Sequence, residues 1–422
     1  MIRDGLSLTI GACLTAAAGM LAWVVAARLL PREEVGQASA FVSGFLFVAG
    51  VGNLGLGAGL LRWIPRAGEH RTTLILRCYG AIVLGSCAAA AVVLVLPTGD
   101  EIMEAVPHLG VALFMFAALT WTLFQFQDSV LVAIGRARWV PYENTGIGLA
   151  RVGIVVAVGP LLGTTGILLS WVGPAVVGVV VISILIRRVL RDSPVSPSGH
   201  TAPDRQAVLP DRHEVWRLLG PVYPAQVCAG MLVDLVPLLV IGRFGPAAGA
   251  VFFVVWMAGN TVDYATLSFT HSVIVRIAHE PERTRELFGV AVRKVAVLFV
   301  PALLLGVVVA GPVLAIFGSA YADLGTTLLQ LVLLGCVPRL LTTLVVALSL
   351  AHGRGVTVAA LEASSVVGVV GIVAVAPVGD LTVLGVGFAA VQLLVAVAAV
   401  FVVVRQFAGN HPRAGAPEGS AS

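Results

Sequence analysis

The stretch VGIVVAVGPLLGTTGILLSWVGPAVVGVVVISILI (152–186) contains no charged residue. A helix needs about 20 apolar residues to cross a bilayer, so this run is too long for one crossing and too short for three. Gly and Pro within GPLLGTTG (159–166) supply a turn, and the run reads as two antiparallel membrane helices. Working outward from it, uncharged stretches place the spans, these two included, at 6–27, 36–61, 74–96, 109–134, 142–161, 166–186, 219–242, 246–271, 293–316, 326–351, 355–378 and 381–404. That makes twelve spans, with both termini on one side of the membrane.

Composition says the same. Of 422 residues, 58% are apolar and only 11% charged, against roughly 25% charged in soluble domains. Mean hydropathy is +1.00. These values exclude an ordinary soluble enzyme, a disordered chain and a collagen-like one. The apolar runs are continuous, without the alternation a membrane barrel requires. Met1 to Gly5 leads directly into a run to Ala27 that exceeds a signal-peptide core and lacks a small-x-small cleavage site. It reads as a retained first span.

Arginine placement orients the spans. With a cytoplasmic N-terminus, 21 basic residues fall in inside loops or span ends, and Arg28, Arg32 and Arg243 fall outside. The positive-inside rule selects that orientation, in a bacterial cytoplasmic membrane. Arg151 and Arg339 fall inside spans. The net charge of +4 is too small to suggest nucleic acid. The five cysteines (Cys13, Cys78, Cys87, Cys228, Cys336) lie in apolar runs without metal-ligand spacing. There is no Walker loop, no GxSxG and no His/Cys cluster, so neither cofactor nor metal is expected and the chain reads as a non-enzyme.

The longest connection, 187–217, contains SPVSPSGHTAPD and reads as a flexible cytoplasmic linker. It divides the chain into an N-terminal lobe (1–186) and a C-terminal lobe (218–404) of six spans each, followed by a polar tail (405–422). The segment 276–290 has apolar residues at helical spacing with a charged face, and reads either as a short helix at the inner surface or as a solvated loop. The halves resemble each other. Arg28-Leu29-Leu30-Pro31 matches Arg243-Phe244-Gly245-Pro246, and Ile134-Gly135-Arg136 followed by Glu143 matches His352-Gly353-Arg354 followed by Glu362. A duplicated six-span unit places a pseudo-two-fold axis along the membrane normal and a cavity between the lobes. The expected fold is therefore an all-α polytopic membrane protein of about twelve transmembrane helices in two such lobes.

Charges at bilayer depth are costly and face a cavity or a partner. Here they are Asp128, Glu143, Arg151, Asp234, Asp263, Arg339 and Glu362. Trp121, Gln125 and Asp128 recur at i, i+4, i+7, as do Trp256, Asn260 and Asp263. Each set shares one helix face, which either lines a hydrated lumen or locks the bundle through interhelical hydrogen bonds. Arg151 and Arg339, nearest the midplane, present planar forks suited to phosphate, or else pair with a membrane carboxylate, as Arg151 with Glu143. Arg62 and Arg66 at the inner mouth either attract an anionic head group or serve as topological anchors.

AARLLPREEVGQASAF (26–41) and NLGLGAGLLRWIPR (53–66) resemble the N-terminal signature of polysaccharide-biosynthesis membrane proteins. These form the O-antigen-flippase-like branch of the multidrug/oligosaccharidyl-lipid/polysaccharide exporter superfamily. QDSVLVAIGRARWVPYEN (127–144) is similar to that family's pattern too. The resemblance implies two six-helix lobes and movement of a polyprenyl-phosphate-linked oligosaccharide from the inner to the outer leaflet. Arg151, Arg339, Arg62, Gln125 and Asn260 are then substrate-binding candidates. Asp128, Asp234, Asp263, Glu143 and Glu362 are then ion-coupling or lumen candidates, with H+ or Na+ as the coupling ion and membrane lipids and glycan-assembly enzymes as partners. A cation-coupled multidrug or metabolite exporter of the same superfamily is the first alternative. An integral-membrane polymerase or glycosyltransferase is the second, and the short outer loops disfavour it.

Overall fold

A computed structural model describes residues 17–96, 99–106, 109–192, 209–220 and 223–408. The described residues are helical almost throughout. In chain order the helices are α1 (Ala17–Leu29), α2 (Arg32–Gly52), α3 (Leu56–Ala67), α4 (Arg71–Val95), α5 (Gly99–Ala105), α6 (Gly110–Ala133), α7 (Trp139–Leu162), α8 (Thr164–Asp192) and α9 (Arg212–Leu219). They continue with α10 (Tyr223–Gly230), α11 (Val236–Phe244), α12 (Pro246–His279), α13 (Thr284–Val308), α14 (Ala310–Ala315), α15 (Ser319–Ala351), α16 (Gly355–Val375) and α17 (Thr382–Ala408). Nine described helical segments are long and apolar enough to cross a membrane, the first of them covering α2 to α4. With the first segment counted as two passes, and with the shorter apolar α1 and the 34-residue α12 added, twelve passes result: α1, α2 with α3, α4, α6, α7, α8, α10 with α11, α12, α13, α15, α16 and α17. They form two six-helix lobes.

The run that opened the sequence reading divides as expected, but more tightly. Gly163, at φ 54°, is the whole break between α7 and α8, and Pro160 stays inside the last turn of α7. Two features were not anticipated. The second pass breaks at Asn53–Gly55, where Leu54 (φ 54°) and Gly55 (φ 68°) are both left-handed; a leucine pays a steric cost there. The seventh pass contains a π-helical turn, Met231–Leu235. The segment 276–290 is neither a surface helix nor a loop. α12 continues to His279, a 3-10 turn covers Pro281–Arg283, and α13 begins at Thr284. The end of the linker is helical as well: Asp211 caps α9 by accepting from the Glu214 amide at 2.6 Å.

The repeat is visible in the backbone. α6 and α15 end 218 residues apart, and α8 and α17 begin 218 residues apart. Gly135 (φ 76°) and Gly353 (φ 68°) close α6 and α15 in the left-handed conformation that favours glycine. The amide of Arg136 reaches Leu131 O at 2.7 Å, and that of Arg354 reaches Ser349 O at 2.8 Å. The same cap has been built twice.

The lobes meet along α2 and α12. At the arginine-poor end a Cβ on Gly36 would stand 1.9 Å from Pro246 O, so only glycine admits this crossing. Beside it Arg28 of α1 donates to Ile316 O at 2.8 Å and Ala315 O at 2.7 Å, completing the carbonyl end of α14 in the other lobe. In the arginine-rich half, Tyr223 Oη donates across to Val51 O at 2.8 Å; nearby, Arg66 of the first lobe pairs with Glu214 of the linker helix α9 at 3.3 Å. Contacts of this kind join the lobes at both ends and leave a compartment between them.

Candidate functional site

The site is built from the π-helical turn upward. Pro237 has no N–H, so the carbonyls four and five residues before it, Val233 and Leu232, lack their helical donor. Trp256 of α12 supplies one. Its indole N–H reaches Leu232 O at 3.1 Å and Val233 O at 3.2 Å. The ring is held by Phe252 (centroids 5.2 Å apart) and Phe388 (5.0 Å). The extra residue in the π turn rotates the backbone beside Asp234, and Asp234 lines a cavity of about 240 Å³ between the lobes.

Both lobes wall that cavity. Trp23, Ser43, Arg151 and Trp171 come from the first; Asp234, Phe253, Trp256, Asn260 and Tyr264 come from the second. Its walls are aromatic: Trp23 packs on Phe253 at 4.7 Å and on Trp171 at 6.0 Å. Thr261 and Tyr264 line it while remaining exposed, so the cavity opens beside the middle of α12.

Arg151 is its principal charged feature. The residue is 7% exposed. Its guanidinium carbon lies 3.5 Å from the ring centre of Trp171 and 5.6 Å from that of Trp121. Nε has no hydrogen-bond partner, and Arg151 makes no ion pair with any described residue. Cation–π contact is worth about 2 kcal/mol when desolvated, less than the several kcal/mol that burying an unpaired ion costs. A ligand bringing anionic oxygens would supply the missing acceptors. Asp234 and Asn260 also border the cavity, and Asp234 likewise makes no ion pair among the described residues.

Arg339 lies elsewhere. It sits inside the second lobe, where its Nε donates to Asp263 Oδ2 and its Nη2 stands 3.9 Å from Glu362 Oε2. The pairing anticipated for Arg151 with Glu143 does not form; Arg339 is the membrane arginine that pairs. A second cavity of about 10 Å³ adjoins it, lined by Asn260, Asp263, Cys336 and Arg339. Trp256 and Asn260 line both cavities and form the wall between them.

Asp128 and Glu143 lie in the first lobe, away from both cavities. Asn144 Nδ2 donates to Asp128 Oδ2 at 3.1 Å. Glu143 is close enough to feel the Asp128 charge and packs against α8, where a Cβ on Gly178 would stand 3.0 Å from its Oε1. Gln125 is half-buried and lines neither cavity, and Arg62 is exposed on α3. Of the two predicted stripes, only Trp256 and Asn260 reach the inter-lobe cavity. Trp171, Trp23 and Tyr264 were missed; the signal for Trp171 was an aromatic standing alone in the aliphatic run 167–186. Among the described residues no group of three His, Cys, Asp or Glu side chains could hold a metal.

Comparison with known proteins bears on this geometry. The model of the polysaccharide biosynthesis protein family matches residues 1–212. No curated protein sequence matches the chain. Among solved structures, the lipid II flippase MurJ in an inward closed conformation is similar over 96% of this chain and 88% of its own, with a TM-score of 0.74 at 10% identity. A multidrug resistance MATE family transporter of the MOP superfamily, inward-facing, matches over 93% of this chain and 95% of its own, with a TM-score of 0.67 at 15% identity. An outward-facing conformation gives 0.58 at 13% identity, over 97% and 95%. At such identities the likeness is one of fold.

Proposed function

The chain belongs to the polysaccharide biosynthesis protein family, and from that premise we propose that it flips a lipid-linked oligosaccharide from the cytoplasmic to the outer leaflet by alternating access. Its arginine-rich end and both termini face the cytoplasm, and the membrane is the bacterial cytoplasmic membrane. Residues 1–186 and 218–404 are the moving lobes, and 187–217 is the linker between them.

The observation that carries this reading is Arg151: a buried guanidinium with no acceptor among the described residues, laid on Trp171 at 3.5 Å inside a cavity that both lobes build. Phosphate oxygens fit that vacancy in hydrogen bonding, and indole faces suit the apolar faces of sugar rings. The lateral opening beside Thr261 and Tyr264 allows a lipid tail to stay in the bilayer while the head group enters. At about 240 Å³ the compartment falls below the roughly 300–1,000 Å³ of ordinary small-molecule sites. This is therefore the contracted state of the cycle, bridged at both ends. Opening toward the cytoplasm breaks Tyr223–Val51, and opening outward breaks the Arg28 contact with α14.

Arg151→Ala, expressed at wild-type level, is expected to abolish surface glycan in cells that depend on this chain. Wild-type export by that variant would overturn the reading. A second reading, cation-coupled export of a cationic drug or metabolite, is favoured by one observation: Asp234 borders the same cavity and makes no ion pair among the described residues. Drug susceptibility that rises on deletion, with surface glycan intact, would select it.

A further inference from the structure

A phosphate on Arg151 leaves one charge of the inter-lobe cavity unused. Among the described residues that wall it, Arg151 is the one cation and Asp234 the one carboxylate. Arg151 comes from α7 in the first lobe, and Asp234 from the π turn in the second. Neither makes an ion pair with any described residue. The walls are therefore neutral in sum and divided in sign, positive on one lobe and negative on the other.

That division disfavours a ligand of a single charge type. A head group that brings only phosphate satisfies Arg151 and sets its own negative charge against Asp234 in the same small space. A plain amine satisfies Asp234 and faces the guanidinium. Like-charge contacts of this kind are stronger in a compartment poor in water than in solution. A carboxylate left facing a ligand without a donor also forfeits the hydrogen bonds that water gave it. A ligand with one anionic and one cationic end meets each wall with the opposite sign.

We propose that the sugar attached to the phosphate carries a free amino group, so that the head group is a zwitterion with its phosphate on Arg151 and its ammonium on Asp234. The inference rests on the flippase reading and deepens it by naming the substrate class, a lipid-linked glycan that begins with an unacetylated amino sugar.

The surroundings of the two charges match the two ends. On the first lobe, Arg151 lies 3.5 Å from the ring centre of Trp171 and its Nε lacks an acceptor, which suits an anion with several oxygens. On the second lobe, Asp234 shares its wall with Phe253, Trp256 and Asn260. Aromatic faces attract an ammonium, and an amide carbonyl accepts one of its three protons. The Trp256 N–H is committed to Leu232 O and Val233 O, so that indole adds no donor to compete for Asp234. Tyr264 is close enough to feel the Asp234 charge and is exposed at the lateral opening, so the carboxylate lies toward the side by which the head group enters. At about 240 Å³ the cavity is small for a drug-sized ligand. It takes the phosphate and the sugar joined to it, which is why the ammonium belongs on that sugar. Acetylation would remove the charge and add bulk, so the site separates the free amine from its acetylated form.

The test is binding to the purified full chain in lipid nanodiscs, in slightly acidic buffer that keeps a sugar amine protonated. Three probes share one tail: farnesyl phosphate linked to glucosamine, to glucose and to N-acetylglucosamine. Their common tail partitions equally into the bilayer, and three indoles on the cavity wall report occupancy by fluorescence. The wild type is expected to bind the glucosamine probe at least about tenfold more tightly than the other two, the return on one charge-assisted hydrogen bond. Asp234→Asn should erase that preference without weakening the glucose probe, and Arg151→Gln should weaken all three. Equal binding of the three probes by the wild type would overturn the inference, a result that needs no variant to fold. So would a preference that survives Asp234→Asn, or competition by glucosamine alone as strong as that of its phosphate-linked form. In each of these cases a loss of affinity in Arg151→Gln leaves the flippase reading standing. Binding that ignores Arg151→Gln removes instead the phosphate contact on which both rest.

Discussion

Trp256→Phe tests the account of the π-helical turn, because its effect must depend on residue 237. In the wild type the indole N–H serves Leu232 O and Val233 O at 3.1 and 3.2 Å, the carbonyls that Pro237 cannot reach. Phenylalanine keeps an aromatic ring between Phe252 and Phe388 but removes the donor. Leaving a buried carbonyl unpaired costs about 1–3 kcal/mol, and the lost ring volume adds a packing term. Pro237→Ala restores a backbone N–H in the right place. In that background the packing term persists and the hydrogen-bond term largely vanishes. The four-protein cycle should therefore show a coupling of about 1–2 kcal/mol, well outside the roughly 0.3–0.5 kcal/mol scatter of additive pairs. Unfolding of the purified chain in mixed detergent micelles measures it. Equal destabilisation by Trp256→Phe in both backgrounds would refute the claim that the indole replaces the donor proline lacks. Function should move the opposite way. Once residue 237 can donate, the turn can rewind as α-helix, losing the extra residue and swinging Asp234 about 100° around the axis. Pro237→Ala is then expected to be stable and defective in export.

Arg28→Ala removes two bonds from a cation to the carbonyl end of α14, each worth about 1 kcal/mol. Cysteines placed at the arginine-poor end between α1 and α14 should label several-fold faster, and unchanged labelling would remove Arg28 as a latch. Gly36→Ala puts a Cβ 1.9 Å from Pro246 O and must drive α2 and α12 apart by about 1.5 Å to reach ordinary contact. Cross-linking across that crossing should fall, and an unaltered yield would show that the helices approach less closely. Asp380, in the connection before α17, accepts from both the amide and the hydroxyl of Thr382, which hold its carboxyl below the ordinary carboxylate range. Its support for the first turn of α17 is thus present above the unfolded value of about 3.9 and lost as pH falls through the lower folded value. Asp380→Ala should speed amide exchange in that turn at neutral pH, and no change would mean the cap is idle.

The passes were legible because lipid forbids charge, so uncharged runs mark them. The missed features were those the pattern leaves uncharged. Gly52-Asn53-Leu54-Gly55 breaks a helix without a proline, and the π turn follows from one proline that resembles any other in a span. Site residues were harder for a reason of scale. Trp256 and Asp263 share a helix face, yet seven residues advance about 10 Å along the axis. One end of that face meets the inter-lobe cavity and the other meets Arg339. Nor could the sequence separate the two midplane arginines. Each is a lone cation in an apolar run, and only packing decides which finds a carboxylate.

That packing differs between the two halves. The 218-residue offset joining the two caps carries Arg339 onto Trp121 and sets Glu362 beside Glu143 and Asn144. The second lobe thus holds a base where the first holds an indole, and its acid finds a partner across the helices. In the first lobe Glu143 makes no ion pair among the described residues, and the guanidinium stands instead on α7, where the same indole becomes part of its bed. The two arginines therefore do not occupy equivalent places in the repeat: Arg339 pairs with Asp263 inside its own lobe, and Arg151 lines the cavity between the lobes. Equal spacing of charges along the chain thus gives unequal surroundings, because each repeat packs its polar side chains against different neighbours.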